Sequence, residues 1–211
     1  MNEKGVKVVI PKSLGWLEYK LNSQEMDYVW RCIKNKKEDL RHNLAGHVSN
    51  SNVLIDRSDW FYIHVLKPLI GKYEKEWGNI GDNLPTNVVH PFFLSRWWVN
   101  YQKQHEFNPL HNHSGVYSFV IWMKIPYTHQ EQNRNPIAKS SNGGKISTFQ
   151  FLYSNILGEN MNWDYKLSPP DEGTLIFFPS RLHHQVYPFY DCDEDRISVS
   201  GNIGLNTTKT M

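Results

Sequence analysis

The segment NPLHNHSGVYSFVIWMKIP, residues 108–126, places two histidines, His111 and His113, two positions apart just before an apolar run. On an extended segment, side chains two positions apart point to the same side. Neutral imidazoles are common ligands for iron, zinc and copper, so one further ligand from a neighbouring strand would complete a metal site with open positions. The pair taken alone is equally compatible with two solvated polar residues on a loop.

A second group of polar residues lies further along the chain, in GTLIFFPSRLHHQVYPFYDCDEDRISVSGN. A strand is expected to end at Pro179, and His184 follows in the turn. Arg196 then opens another predicted strand, twelve residues after His184. Burying an arginine in a β-core is costly unless it meets an anion, and its planar guanidinium suits a carboxylate. Ser198 would point to the same side of that strand and donate to the same anion.

Taken in order, the segments HNH, GTLIFFPSRLHH and RISVS resemble the iron(II)- and 2-oxoglutarate-dependent oxygenases. The similarity covers residues 92–206, and it implies a double-stranded β-helix, a jelly-roll form, with iron near one open end. By this resemblance His111 and His184 are iron ligands, and Arg196 binds the far carboxylate of 2-oxoglutarate. The resemblance also implies an O2-dependent decarboxylation of 2-oxoglutarate to succinate and carbon dioxide, coupled to oxidation of a substrate, usually its hydroxylation.

The chain departs from the common pattern of this family at residue 113, where a carboxylate is usual and this sequence has His113. Three interpretations follow: a working three-histidine site, a site completed by a carboxylate from elsewhere, or a degenerate site. Glu106, Asp171 and Glu172 are the candidates for the second. We favour the first, with Fe(II) held by His111, His113 and His184.

Three residues on the flanking strands, Asn100, Tyr101 and Trp122, are candidates to line the cosubstrate pocket. The predicted catalytic set is therefore His111, His113, His184 and Arg196, and the predicted set for 2-oxoglutarate is Arg196, Ser198 and Asn100. His183, next to the predicted ligand, is expected to have a structural role.

The predicted elements divide the chain into two regions. Residues 1–90 form a helical N-terminal region packed on the core, with a short strand at 6–10, a helix capped by Ser23 and a second helix divided near Pro68. Residues 91–211 form the jelly-roll catalytic domain, because short β-branched and aromatic segments alternate there with polar turns. Polar insertions at 127–144 and 154–172 are expected to be loops. The fold class is mainly β with N-terminal helices (α+β), and the two regions form one structural unit.

Composition limits the classes of partner. Aromatic residues make up 14% of the chain, which favours a packed globular fold. The net charge of +2 is too small to indicate nucleic-acid binding, and no apolar run approaches the ~20 residues of a membrane span. We therefore expect a cytoplasmic enzyme that acts on a small molecule or a protein side chain. The alternatives are a cupin-like metal-binding protein and a non-catalytic jelly-roll binding module.

Overall fold

The computed structural model describes residues 7–9, 13–40, 44–80, 88–139 and 142–209, and its core consists of two antiparallel β-sheets. The strands are β1 (Leu17–Lys20), β2 (Asn50–Val53), β3 (Phe92–Gln102), β4 (Asn108–His111), β5 (Tyr117–Lys124), β6 (Phe149–Ser154), β7 (Asn160–Tyr165), β8 (Thr174–Pro179), β9 (His183–Val186) and β10 (Arg196–Leu205).

The larger sheet has six strands in the order β1-β8-β5-β10-β3-β2, and the smaller has four in the order β4-β9-β6-β7. All of the strand pairs are antiparallel. Two facing antiparallel sheets connected in this way form a double-stranded β-helix. The predicted fold class is confirmed.

Two helices precede most of the β-structure: α1 (Ser23–Lys34) and α2 (Lys67–Trp77). Asn22, not Ser23, caps α1: its side chain accepts from the backbone N–H of Glu25, whose carboxylate accepts from the N–H of Asn22. Pro68 lies in the first turn of α2, where a proline is tolerated, and a π-helical turn at Tyr62–Leu66 leads into it. The predicted interruption near Pro68 therefore takes the form of a junction between two helical segments.

Successive side chains along a strand point to opposite faces, so the larger sheet has two different apolar faces. On β5, Tyr117, Phe119 and Ile121 belong to the cluster that includes residues of α1 and α2, whereas Val120 and Trp122 belong to the cluster inside the jelly roll. The outer face of this sheet is thus covered by the helices, while its inner face is free to build a pocket with the smaller sheet.

Three local predictions are wrong. The described part of the expected strand at 6–10, residues 7–9, has no strand structure and is exposed; positions 6 and 10 lie outside the described residues. The first strand instead is β1, which pairs with β8. The insertion at 154–172 contains β7, and the insertion at 127–144 contains two one-turn helices, α3 (His129–Gln132) and α4 (Pro136–Lys139). Within the described ranges, no helix is both long and apolar enough to span a membrane.

Candidate active site

Three histidines converge inside the open end of the jelly roll. One nitrogen from each of His111, His113 and His184 lies within 4.8 Å of the others. The Nε2 atoms of His113 and His184 are 3.1 Å apart, and two nitrogen ligands at right angles around one metal ion lie about 3 Å apart, given metal–nitrogen bonds of about 2.1 Å. The spacing of these two nitrogens therefore fits adjacent positions on one ion.

The local folding of the chain positions each ring. His111 on β4 and His184 on β9 are register partners in the smaller sheet. His113 lies two residues beyond β4, where its backbone N–H donates to the carbonyl of Ser180. Gly115 follows with a φ of +99°, and a Cβ there would be 2.7 Å from the carbonyl oxygen of Ile203. A glycine is needed for the chain to turn so closely against β10 and enter β5.

Hydrogen bonds on the far side of two rings orient them as ligands. The Nδ1 of His111 lies 2.7 Å from the carbonyl of Pro109, and the Nδ1 of His184 lies 3.0 Å from the carbonyl of Leu182. A carbonyl accepts, so Nδ1 carries the proton and Nε2 presents a lone pair. Metal-binding histidines are commonly fixed by such a bond.

Burial keeps the three imidazoles neutral. Together with a smaller effect of the neighbouring histidines, burial lowers the pKa of His113 to about 4 and that of His184 well below its ordinary value. It also lowers the pKa of His111, against the opposing effect of the Pro109 carbonyl. At neutral pH the cluster offers three unprotonated nitrogens, which is the donor set that a divalent iron accepts.

Arg196 lies at the start of β10, only 2% exposed. Its Nη1 donates to the hydroxyl of Tyr127 (2.6 Å) and the carbonyl of Ser147 (3.0 Å), and its Nη2 donates to the side chain of Gln102 (2.7 Å) and the carbonyl of Tyr187 (3.2 Å). All four acceptors are neutral. A buried cation held by neutral acceptors keeps a strong attraction for an anion.

The histidines and Arg196 line the same cavity of about 280 Å³, near the lower end of the range for small-ligand pockets. Of the predicted pocket residues, Asn100, Trp122 and Ser198 line it too. Asn100 is 7% exposed and accepts a hydrogen bond of 2.5 Å from the hydroxyl of Ser51. Tyr101 does not line it; its hydroxyl accepts from Lys36 outside the barrel.

The other polar candidates lie apart from the cluster. His183 is exposed and contacts Asn112. Glu106 accepts from the backbone N–H groups of Ser49 and Lys103, and Glu172 accepts from that of Ile125. Among the described residues, the only group of three or more potential ligands that lie close enough for one ion is the histidine triad.

The sequence did not single out several residues of this cavity. Gln102 and Tyr127, which hold Arg196, and Arg96, Trp98, Ser200 and Asn202, which line the cavity, were missed. Alternation on β3 and β10 was the available signal, because the even-numbered positions 96–102 and 196–202 face inward.

A family model described as "Putative 2OG-Fe(II) oxygenase" matches residues 96–202, just over half of the chain. The chain belongs to this family. The matched segment contains all three histidines, Arg196 and Ser198. Fe(II) and 2-oxoglutarate are the cofactor and cosubstrate of the 2OG-Fe(II) oxygenases, and the neutral, inward-facing imidazoles described above fit the metal.

Solved structures share the fold over most of their length. A prolyl-4-hydroxylase from Pseudomonas putida is 13% identical, with a TM-score of 0.51 over 92% of this chain and 94% of that one. An oxidoreductase of the 2OG-Fe(II) oxygenase family from Burkholderia pseudomallei is 12% identical, with a TM-score of 0.50 over 87% and 80%. At these identities the likeness shows the fold alone. No curated protein matches the chain in sequence.

Proposed function

We propose that this 2OG-Fe(II) oxygenase is a hydroxylase in which His111, His113 and His184 hold Fe(II). Arg196, Ser198 and Asn100 hold 2-oxoglutarate. The observation that carries the proposal is that three neutral imidazoles and a buried arginine with only neutral partners line one cavity. Fe(II) with 2-oxoglutarate supplies the activation of O2 and the oxidation of an unactivated C–H bond.

The protein's own residues position the reactants and exclude water from them. The guanidinium of Arg196 is fixed by four hydrogen bonds, so it offers a positive charge at one defined point of the wall. Since both terminal nitrogens already donate to the protein, a carboxylate there shares these donors, uses the Nε–H or displaces the amide oxygen of Gln102. The hydroxyl of Ser198 lies two residues along the same face of β10 and can donate to the same carboxylate.

Aromatic side chains form the deep wall of the cavity. Trp122, Phe149 and Phe178 line it beside His184, whose ring centroid lies 5.1 Å from that of Phe178 and 5.6 Å from that of Phe149. Apolar walls keep water from the reacting atoms and strengthen the electrostatic interactions there. Trp122 on β5 lies beside Ser198 on β10, so the polar side chains of β10 and β3 continue the same wall of the larger sheet away from these aromatic residues.

The test is an anaerobic titration of the Fe(II)-loaded protein with 2-oxoglutarate, followed by the visible charge-transfer band that chelation of iron produces. We expect the band in the wild type, and we expect Arg196→Ala to bind iron normally but to need at least tenfold more 2-oxoglutarate. Arg134→Ala, which removes an exposed arginine outside the cavity, is the matched control and should behave as the wild type. Arg196→Lys, which keeps the charge, guards against a simple folding defect.

Two results would redirect the proposal. Iron loading without a band would favour the cupin-like metal-binding protein, and failure to load iron would favour the non-catalytic binding module. If the band forms, incubation with ¹⁸O₂ should yield succinate and a substrate that has gained one labelled oxygen atom. Turnover that leaves no labelled oxygen in the substrate would contradict hydroxylation while leaving the family assignment intact.

A further inference from the structure

The polar wall of the cavity has a cation at each end. The register of the neighbouring strands β10 and β3 pairs Arg196 with Gln102 at one end and Asn202 with Arg96 at the other, without a bulge between them. Side chains of every second residue face the cavity, namely Arg196, Ser198, Ser200 and Asn202 on β10 and Arg96, Trp98, Asn100 and Gln102 on β3. Six residues of strand separate the two ends, or about 20 Å at 3.3–3.4 Å per residue.

His113 of the triad lies near the part of this wall that leads to Arg96 and Asn202. The ring of His113 is 5.8 Å from that of Trp98, which is two residues from Arg96 along β3. The N–H of His113 donates to the carbonyl of Ser180, and the hydroxyl of Ser180 contacts that of Ser118, which donates to the Oδ1 of Asn202. A cosubstrate that extends from Arg196 to the triad therefore leaves the Arg96 end of the cavity for the substrate.

Arg96 is equipped to bind an anion. It is an exposed residue on the cavity wall, and its side chain makes no hydrogen bond or ion pair with another described residue. Beside it, Asn202 uses its Oδ1 to accept from Ser118, so its amide N–H groups remain as donors. Ser114 lines the same part of the cavity, because the N–H of Val116 binds the carbonyl of Ile203 next to Asn202.

The surroundings restrict the size of that anion. Arg96 also borders a neighbouring groove that is lined by four acidic residues, Glu38, Asp39, Asp56 and Asp59. These carboxylates repel a long polyanion such as nucleic acid at the cavity mouth. An oxyanion group on a small molecule needs only the guanidinium of Arg96 and the amide of Asn202 as partners, and both line the cavity.

We propose that the substrate of this oxygenase carries a carboxylate or phosphate monoester group, and that Arg96, assisted by Asn202, binds this group so that the reacting carbon lies near the triad. This inference rests on the proposed function, since it takes the triad as the iron site. It makes Arg96 a specificity-determining residue and gives the two arginines separate tasks, Arg196 for the cosubstrate and Arg96 for the substrate.

The experiment uses the anaerobic holoprotein saturated with Fe(II) and 2-oxoglutarate. It is titrated with benzoate, phenyl phosphate and neutral benzamide, and binding is followed by calorimetry and by the shift of the charge-transfer band. We expect saturable binding of at least one oxyanion, no binding of benzamide, and at least tenfold weaker oxyanion binding in Arg96→Gln. Arg134→Gln is the control and should bind as the wild type. Preference for benzoate or for phenyl phosphate assigns the group as carboxylate or phosphate.

The two proposals fail in different ways. If no oxyanion binds, or if Arg96→Gln binds it as tightly as the wild type, the role of Arg96 is overturned. The charge-transfer band should be equal in the wild type and in Arg96→Gln, because Arg96 lies at the far end of the cavity from Arg196. Absence of that band in both proteins would refute the proposed iron and 2-oxoglutarate site, while calorimetry would still report on Arg96.

Discussion

His113 changes the charge of the site relative to the family's common pattern. Fe(II) with two histidines, one carboxylate and dianionic 2-oxoglutarate sums to −1, whereas three neutral imidazoles in the same arrangement sum to zero. Burial keeps His113 neutral by lowering its pKa to about 4. Its Nε2 lies 3.1 Å from that of His184, so in the proposed site the imidazole would take the place of the carboxylate oxygen. The changed overall charge would then shift the redox behaviour of the iron without removing a ligand.

We expect His113→Asp to retain iron, because a carboxylate is an iron ligand of the common pattern and the other two imidazoles remain fixed by Pro109 and Leu182. His113→Ala removes the ligand and should lose most of the iron. Both can be measured by metal analysis after anaerobic loading and desalting. If His113→Asp loses iron as completely as His113→Ala, then the backbone at residue 113 places only the longer imidazole within reach.

The order of polar residues in the sequence was enough to predict which side chains meet. The structure brings His111, His113 and His184 together and puts Arg196 on the same cavity; their roles as ligands remain predictions. The partners of Arg196 could not be predicted, because Gln102 and Tyr127 are 94 and 69 residues away in the chain. Such contacts depend on sheet order, which local patterns do not specify.

At the scale of elements, strand alternation separates the active site from the scaffold. Even-numbered positions from 96 to 102 on β3 and from 196 to 202 on β10 line the cavity, while Trp97, Val99 and Val199 face the helices. The sequence predicted strands in this region from their β-branched and aromatic content. It missed β1, β2 and β7, which contain several polar or charged residues and lie at sheet edges, where one side of the strand stays exposed, and it expected a turn where β9 lies.

A substitution in the turn between His113 and β5 can test whether the backbone of this turn positions His113. Gly115→Ala requires a positive φ in a non-glycine residue, at a cost of about 1–3 kcal/mol, and places a methyl group 2.7 Å from the carbonyl oxygen of Ile203. We expect a clear drop in melting temperature and weaker iron binding, since His113 is two residues away. Thermal unfolding and iron titration measure the two effects.

Gly158→Ala is the matched control for this turn. Gly158 also has a positive φ, +80°, but a Cβ there would meet no atom within 4 Å. It should therefore show the backbone cost alone, with unchanged iron affinity. Equal losses of stability in the two variants, with iron binding intact in both, would mean that the contact with Ile203 does not position His113.

At the scale of the whole molecule, the N-terminal region contributes two strands to the β-core. β1 and β2 form the two edges of the six-stranded sheet, next to β8 and β3. The helical segments cover the face of that sheet turned away from the cavity, where Phe61, which is fully buried, stacks on Trp97 with ring centroids 5.2 Å apart. This arrangement supports the prediction that residues 1–90 and 91–211 form one structural unit.

We expect a fragment of residues 91–211 to be unable to fold alone. It would lose both edge strands of the larger sheet and expose Tyr117, Phe119 and Phe177, which are at most 1% exposed in the full chain. An uncovered apolar face of this kind leads to aggregation. Size-exclusion chromatography and near-ultraviolet circular dichroism of the fragment, beside the full chain in the same buffer, would measure this, and the full chain should unfold in a single transition.

Phe61→Ala in the full chain tests the same contact between the helical region and the sheet with a smaller change than the truncation. Because the ring fills a fully buried position between the helical region and the sheet, its loss should destabilise the protein by about 3–5 kcal/mol. The triad lies on the other side of the sheet, so the surviving folded protein should still bind iron. If the fragment 91–211 is monomeric, unfolds cooperatively and binds iron, the β-domain does not need the N-terminal region to fold. Phe61→Ala would then lower only the stability of the N-terminal region, which would unfold in a separate transition.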